Sequence, residues 1–586
     1  MKFLAHSFVL VLLLSGLALT ANAQQNAIRA HDHSPYTKID RAYQEGKLSL
    51  DQKILYKFYA TNSAQKLPPK LKEESQLPIK CGTPAISDFI KNRDQLSAST
   101  IQKVKSMMGS SSMQASETYD SPDGNFTIHY ETSGEHAVPA ADENNNNTPD
   151  YVEEVATAAD SSYRHEVQNL GYSDPIPPLG TYDVEIRNLS SYYGETRVPS
   201  PYGGESYIRI ENDFSEGFPP NDDPEGDQLG AVKVTMAHEF KHAVQYEATK
   251  WQGESDRWAE MDATLMEEVV YDVVNDYYNY LDSNASIFNN PQSSFYPGSY
   301  YHVSWALYFE EKFGSQFWVN TWDTIKSNPQ GVTLIEAITN ELGGTSEYTA
   351  NYIQSQLWHF ASGSEKTVPN YGFEESASYP KPRISYNFTG EDSLNLPKNQ
   401  TDLLQPLSAK YIEVTPSLFE GFVGIELTDV SIPAMGAGVI AYFKDGTTKQ
   451  LLLPANGQNA ISHKTNWAWQ DLKKVGVVVA NGSETKHTTY KIFVRNVYPD
   501  KIQLSQNYPN PFNNQTLIEY ILPQRSSVKL EVYDILGRKV RSLVDENKNE
   551  GIHSEFFNTS DLASGIYFYR LQTDEKVKTK KMTIIK

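Results

Sequence analysis

The run VTMAHEFKHAVQYE, residues 234–247, places His238 and His242 four residues apart in a stretch whose apolar positions recur at helical spacing. Four residues is about one helical turn, so both imidazoles lie on one face, as two ligands of a tetrahedral zinc ion require. Glu239 is displaced around the helix, where its carboxylate can take a proton from activated water rather than bind the metal. In a chain with 13 histidines such a pattern arises by chance on the order of once in fifty, so its surroundings carry weight. A coincidental surface helix is the alternative.

Zinc needs a third protein ligand, and 17 residues separate His242 from Glu260 in Trp258-Ala259-Glu260-Met261-Asp262-Ala263, inside the next helical pattern. The arrangement resembles the gluzincin superfamily of zinc peptidases, whose second helix supplies a glutamate in a Trp-x-x-Glu or Glu-x-x-Ala setting. The Trp is one residue closer here than in some members, and Met261 stands where Gly is common. The resemblance implies zinc held by His238, His242 and Glu260, with Glu239 as general base. Glu267, seven residues on and two turns along the same face, is either the rival ligand or a partner for the free N–H of a histidine. A zinc hydrolase must also brace the oxyanion. Tyr300, Tyr301 and His302 are the candidates, because Trp305 to Gly314 resembles the Tyr-led helix ending in Phe-Gly of many gluzincins. Aromatic residues at this spacing also serve as plain core.

The chain of 586 residues, 39% hydrophobic and 12% aromatic, is long enough for several cores. Its formal charge of -22 disfavours nucleic acid as a partner. Lys2, the apolar run Phe8 to Leu19 and Ala21-Asn22-Ala23 read as a signal peptide over 1–23, and no later run is long enough to span a membrane. Residues 24–115 then read as a propeptide-like region, or as a helical lead-in packed on the next domain. It contains a helical pattern at Leu48 to Tyr59 and ends near a linker at Ser110-Ser111-Ser112. Cys81 is the single cysteine. The segment Pro78-Ile79-Lys80-Cys81-Gly82-Thr83-Pro84 resembles the cysteine-switch latch of matrix metalloproteases, which implies a thiolate at the fourth metal position and a zymogen. A small buried hydrophobe is the alternative for Cys81.

Strand patterns at Phe126 to Tyr130 and Tyr182 to Ile186, followed by helical patterns at Ala231 to Lys250, Asp256 to Leu281 and Ser304 to Phe313, predict an α+β zincin-like catalytic domain over 116–380. Short alternating runs such as Gly438 to Tyr442 and Val475 to Val479 predict a β-sandwich over 381–498. Residues 503–586 carry Asn507-Tyr508-Pro509-Asn510-Pro511-Phe512-Asn513, Val532 to Arg538 and Leu562 to Tyr567. These blocks resemble the type IX secretion sorting domain of Gram-negative bacteria. That resemblance implies a second small β-sandwich, a secretion machinery as partner, and export through periplasm and outer membrane to a secreted or cell-surface location.

Oxygen donors at Asp142, Asn144, Asn146, Thr148, Asp150 and Glu153 follow the spacing of a calcium loop, with Asn147 where Gly is usual and Pro149 atypical. An Asn-rich turn capping the next helix is the alternative. Together these features predict a secreted zinc metallopeptidase acting on proteins or peptides. The rival is an adhesin-like surface-binding protein on a decayed peptidase scaffold, against which the intact Glu239 counts.

Overall fold

The computed structural model describes residues 35–586 except 73–76, 109–115, 190–191, 216, 364–371, 390–401, 417–420 and 499. The expected leader at 1–23 and the linker at Ser110 to Ser112 lie outside the described residues. The chain forms two compact units. One holds Met1–Arg383 with Gln405–Ala409 and Gly482–Lys486, and the other holds Ile384–Leu404, Lys410–Asn481 and His487–Lys586.

The first unit is α/β. Its N-terminal part comprises helices α1 (Pro35–Gln44), α2 (Leu50–Asn62), α3 (Thr83–Asn92) and α4 (Ala98–Met107). Helix α2 starts later than the pattern from Leu48 predicts. Ser49 and Gln52 form a reciprocal capping box there, which satisfies amides that an earlier start would leave orphaned. Ile39, Ile54, Phe58, Ile86 and Val104 share one core with Tyr192 and Trp251, so the helices are packed on the residues that follow them.

A six-stranded sheet comes next, built from β1 (Ile79–Cys81), β2 (Glu117–Asp120), β3 (Phe126–Tyr130), β4 (Tyr182–Ile186), β5 (Tyr192–Arg197) and β6 (Tyr207–Ile210) in the order β1-β5-β6-β4-β3-β2. Strand β5 is antiparallel to β6. On its other side β5 is covered by β1, which runs parallel to it with Ile79 opposite Tyr192 and Cys81 opposite Gly194. Helices α5 (Asp150–Tyr163) and α6 (Asp227–Thr249) pack on this sheet. Phe240, in the middle of the histidine motif, is fully buried with its ring centroid 5.7 Å from Phe126 and 6.1 Å from Tyr182. Burying such a side chain contributes about 1.5–3 kcal/mol, enough to fix which face of α6 meets the sheet.

The pattern Asp256 to Leu281 predicts one long helix. Instead α7 (Ala259–Val270) ends at Tyr271, whose φ of -137° and ψ of 58° leave the helical region. Val274 and Leu281 are fully buried all the same, Val274 on a turn just before Asn275 in the left-handed region and Leu281 at the end of a separate short helix, Tyr278–Leu281. Their apolar spacing thus reports burial across a break in the helix. Helices α8 (Val303–Phe313), α9 (Gln316–Ser327), α10 (Leu334–Glu341) and α11 (Thr345–Phe360) complete this unit.

The second unit is β-rich. A four-stranded sheet, in the order Ala460–Ala468, Phe422–Thr428, Thr488–Val497, Asp402–Leu404, and a five-stranded sheet, in the order Thr448–Pro454, Met435–Phe443, Leu472–Asn481, Ser408–Thr415, Tyr386–Thr389, close on a common core. Val423, Ile425 and Ile492 of one sheet meet Val439, Val475 and Val477 of the other in it, which makes a β-sandwich. Beyond it a three-stranded sheet runs in the order Gln503–Leu504, Gln515–Leu522, Gly551–Asn558, and a four-stranded sheet in the order Lys539–Lys548, Ser526–Tyr533, Gly565–Gln572, Val577–Ile584. Ile518, Tyr520, Leu530, Val532, Tyr569 and Met582 lie in a second, separate core there.

Candidate metal centre

Helix α6 presents His238 and His242 one turn apart, both buried, with ring centroids 4.9 Å from each other. The first turn of α7 brings Glu260 against them: its Oε1 is 2.9 Å from His242 Nε2 and its Oε2 is 3.7 Å from His238 Nε2. Cys81, at the end of β1, completes the group, and one ligand atom from each of the four residues lies within 4.8 Å of every other. His238 Nε2, His242 Nε2 and both Glu260 carboxylate oxygens are buried without a hydrogen-bond partner. Leaving so many polar atoms unsatisfied costs about 1–3 kcal/mol each. Two imidazoles, a carboxylate and a thiol are the donor set of a closed tetrahedral zinc site, so these residues fit the ion the motif implies.

The outer partners fix both rings. His238 Nδ1 donates to Glu267 Oε1 at 2.8 Å, and His242 Nδ1 donates to Gln245 Oε1 at 2.8 Å. Gln245 Nε2 passes the chain on to Asp262 Oδ2 at 2.7 Å, and Asp262 lies 3.6 Å from the fully buried Lys241 ammonium. That ammonium also sits 3.2 Å from the Tyr172 ring centroid. Both Nδ1 atoms being occupied, both Nε2 atoms are turned toward the cluster. Glu267 thus touches a histidine N–H and lies outside the four-residue group.

Glu239 is fully buried, and burial pushes its carboxyl above the ordinary range, with the His242 and His238 rings acting in the opposite direction. One oxygen, Oε2, is held by Thr83 Oγ1 at 3.1 Å and Thr196 Oγ1 at 2.9 Å, while Oε1 has no hydrogen-bond partner. Gly194 allows this approach of β5 to α6, since a Cβ there would lie 2.9 Å from Glu239 Cγ and 2.8 Å from Thr235 Cγ2.

The N-terminal segment runs directly across the centre. Gly82 N donates to Gly194 O at 2.9 Å and Thr196 N donates to Thr83 Oγ1 at 2.8 Å, extending the β1–β5 ladder past Cys81. Cys81 Sγ accepts from Thr83 N at 3.3 Å, and Tyr36 OH donates to Cys81 O at 3.3 Å. Burial, then the Glu239 and Glu260 carboxylates, push the Cys81 thiol well above its usual pKa, so a thiolate here needs a neighbouring cation. Lys80 is equally buried and its ammonium pairs with Glu267 and with Asp276 Oδ2, the latter at 2.7 Å. Burial opposes its charge, yet Asp276 and Glu267 outweigh it and raise its pKa. Removing one partner from such a buried pair costs about 3–5 kcal/mol, so Lys80 and Cys81 together fasten this segment.

A cavity of about 710 Å³ opens beside the cluster, with Tyr36, Thr83, His242, Glu260 and Tyr300 among its walls. Tyr301 packs behind Tyr300 with ring centroids 4.4 Å apart, and both contact Tyr280 in one small core. His302 donates from Nε2 to Ala285 O at 3.0 Å, and burial pushes it down to about 4 despite that bond, which leaves it a neutral fold residue. In the acidic loop, Glu153 receives Asn144 Nδ2 at 2.7 Å and Asn146 Nδ2 at 2.6 Å, and the two Asp142 oxygens accept from Asn146 N and Asn147 N. Asp150 caps Glu143 N, and Thr148 N donates to Asn146 Oδ1. Sequence reasoning missed Gln245, Thr83, Thr196, Lys80 and Asp276. Only Gln245 had a usable signal, three residues beyond His242 on one helix.

Residues 506–586 match the family described as Secretion system C-terminal sorting domain. This type IX sorting domain indicates a secreted or cell-surface protein that meets the secretion machinery. No helix among the described residues is long and apolar enough to cross a membrane. No curated protein matches the chain. Among solved structures, PorZ, an essential surface component of the type-IX secretion system of Porphyromonas gingivalis, is similar at 14% identity over 18% of this chain and 15% of its own, with a TM-score of 0.12. A beta-1,2-glucanase from Parabacteroides distasonis is similar at 9% identity over 30% of each chain, with a TM-score of 0.13. Domains 3 and 4 of rat CD4 are similar at 12% identity over 30% of this chain and 95% of theirs, with a TM-score of 0.13.

Proposed function

We propose that the protein is a secreted zinc-dependent peptidase, held latent by its own N-terminal segment. The observation that carries this reading is the buried group of Cys81, His238, His242 and Glu260 around unsatisfied donor atoms, with the free Glu239 Oε1 beside it. His238, His242 and Glu260 would hold the metal, and Cys81 would fill the fourth position until the segment leaves. A zinc ion bound there supplies Lewis acidity, polarising a scissile carbonyl and acidifying water.

The chain's own residues supply the rest. Thr196 steadies one Glu239 oxygen and leaves the other to take the proton of the attacking water. The water oxygen bonds to the carbonyl carbon, the C–N bond breaks, and Glu239 delivers the proton to the departing amine. Tyr300 borders the cavity where the substrate would lie and is the candidate to donate to the oxyanion, with Tyr301 supporting it from behind. The Asp142 to Glu153 loop is proposed to take calcium away from this centre. The test is metal content with hydrolysis: about one zinc per chain, casein cleavage by the protein freed of its latch, loss with a chelator and return with zinc. Full zinc without hydrolysis of any protein or peptide would favour a surface-binding role.

A further inference from the structure

Lys80 does more than anchor the strand that ends in Cys81. Its side chain is 2% exposed and fills a chamber with walls from the part of the chain that follows the N-terminal segment. Two of those walls are the carboxylates of Glu267 and Asp276. Two more are aromatic faces, with the Tyr280 ring centroid 5.1 Å and the Tyr193 centroid 5.6 Å from Nζ. Tyr193 OH donates to Asp276 Oδ1 at 3.1 Å and orients that carboxylate. The chamber adjoins the metal centre, because the other Glu267 oxygen receives His238 Nδ1.

Once β1 leaves, β5 becomes the edge of the sheet, and an extended peptide can add to it through the same backbone groups. Such a peptide must bring its scissile carbonyl to the place where Cys81 Sγ now meets His238, His242 and Glu260. The residue beside that carbonyl then stands where Lys80 stands. With Lys80 gone, the chamber is left with two buried carboxylates and two aromatic faces, an environment that repels acidic side chains and leaves an apolar one facing unpaired charge.

Resting on the peptidase reading above, we infer that the Glu267–Asp276 chamber is the enzyme's principal specificity pocket, that Lys80 occupies it as a substrate mimic, and that the substrates are peptides with a basic residue, above all lysine, beside the scissile bond. Asp276 is the specificity-determining residue, since Glu267 also serves His238. The two carboxylates converge on a single point, which suits a compact ammonium better than the planar fork of arginine.

The full chain carrying Cys81→Ser is digested against a peptide library, and the new termini are read by mass spectrometry. Lysine or arginine should flank most cuts, and adding Asp276→Asn should lower the ratio of lysyl to norleucyl peptide turnover at least about tenfold. A readout independent of turnover uses the zinc-loaded full chain with Lys80→Met, Cys81→Ser and Glu239→Gln. By fluorescence anisotropy it should bind a labelled lysyl peptide at least about tenfold more tightly than its norleucyl isostere, and Asp276→Asn should erase the difference. Cuts flanked by apolar or acidic residues, or equal binding of the two peptides, overturn the pocket assignment and leave the peptidase reading standing. A chain that takes up no zinc, or a zinc-loaded chain that stays inert toward the whole library even with Lys80→Met and Cys81→Ser together loosening the covering strand, overturns the peptidase reading itself.

Discussion

His238 Nδ1 donates to Glu267 Oε1 at 2.8 Å, and the second oxygen of the same carboxylate pairs with the Lys80 ammonium. One side chain therefore sets the tautomer of a histidine in the candidate metal cluster and fastens the segment that covers it. Glu260 faces both Nε2 atoms directly. Glu260→Ala should consequently weaken zinc binding more than Glu267→Ala, whose loss is expected to cost about 10- to 100-fold in affinity. A competition titration with a chromophoric chelator measures both, and the opposite ranking would transfer the ligand role to Glu267.

Glu239→Gln preserves shape and keeps the contacts from Thr83 and Thr196, because its amide oxygen can still accept from both hydroxyls. It cannot take up a proton. Zinc content should stay at the wild-type level while kcat/KM on a peptide substrate falls by a factor of roughly 10² to 10⁴. Turnover within a few-fold of the wild type would remove Glu239 from the mechanism.

Calcium at the 142–153 loop would replace the hydrogen bonds that Asn144 and Asn146 now make to Glu153. A ligand that binds only the folded chain raises its melting temperature by mass action. Millimolar Ca²⁺ should therefore raise Tm in differential scanning fluorimetry, and Asp142→Ala or Glu153→Ala should abolish the shift. An unchanged Tm in the parent protein would leave the loop as a polar turn.

The His238/Glu239/His242 arrangement was legible because helix geometry is local: four residues make a turn whatever surrounds it. Phe126 to Tyr130 and Tyr182 to Ile186 form strands over those residues, since alternation and β-branched or aromatic content are also local signals. Contacts between distant segments leave no such trace. Thr83 meets Glu239 across 156 positions, and Lys80 meets Glu267 across 187. Nothing in the spacing of either pair marks it. The break at Tyr271 was hidden for a different reason, since Val274 on the turn and Leu281 in the short helix beyond it keep the apolar spacing of one continuous helix.

Glu268, next to Glu267 on α7, faces a group of like charges. Burial first, then the Glu375 and Asp272 carboxylates, push its carboxyl up to about 10. The folded chain thus holds a proton at Glu268 that the unfolded chain releases above its ordinary value of 4.5. Its contribution to stability is complete below that ordinary value and is lost progressively as pH rises toward the folded value. Glu268→Gln, which keeps the neutral shape at every pH, should raise Tm at pH 8 and make no difference near pH 4. Parallel Tm-against-pH curves for parent and variant would show that the carboxyl does not titrate in this way.

On the proposed reading, Cys81 is the residue that holds the full chain latent. Its Sγ shares the metal cluster with His238, His242 and Glu260, and β1 carries it there as a strand hydrogen-bonded to β5. The strand is held at three points: the thiol, the Lys80 ion pairs, and Thr83 against Glu239 and Thr196. A serine hydroxyl at position 81 is a far weaker zinc ligand than a thiolate, so Cys81→Ser removes the first of the three while changing little else in shape. The purified full chain should hydrolyse peptides slowly or not at all, and Cys81→Ser or treatment with an organomercurial should activate it before any cleavage of the chain. Zinc X-ray absorption on the untreated protein reads the same feature without turnover, and a sulfur scatterer near roughly 2.3 Å is expected. A shell of nitrogen and oxygen alone would mean that Cys81 is a buried core residue and that latency, if observed, comes from the strand occupying β5.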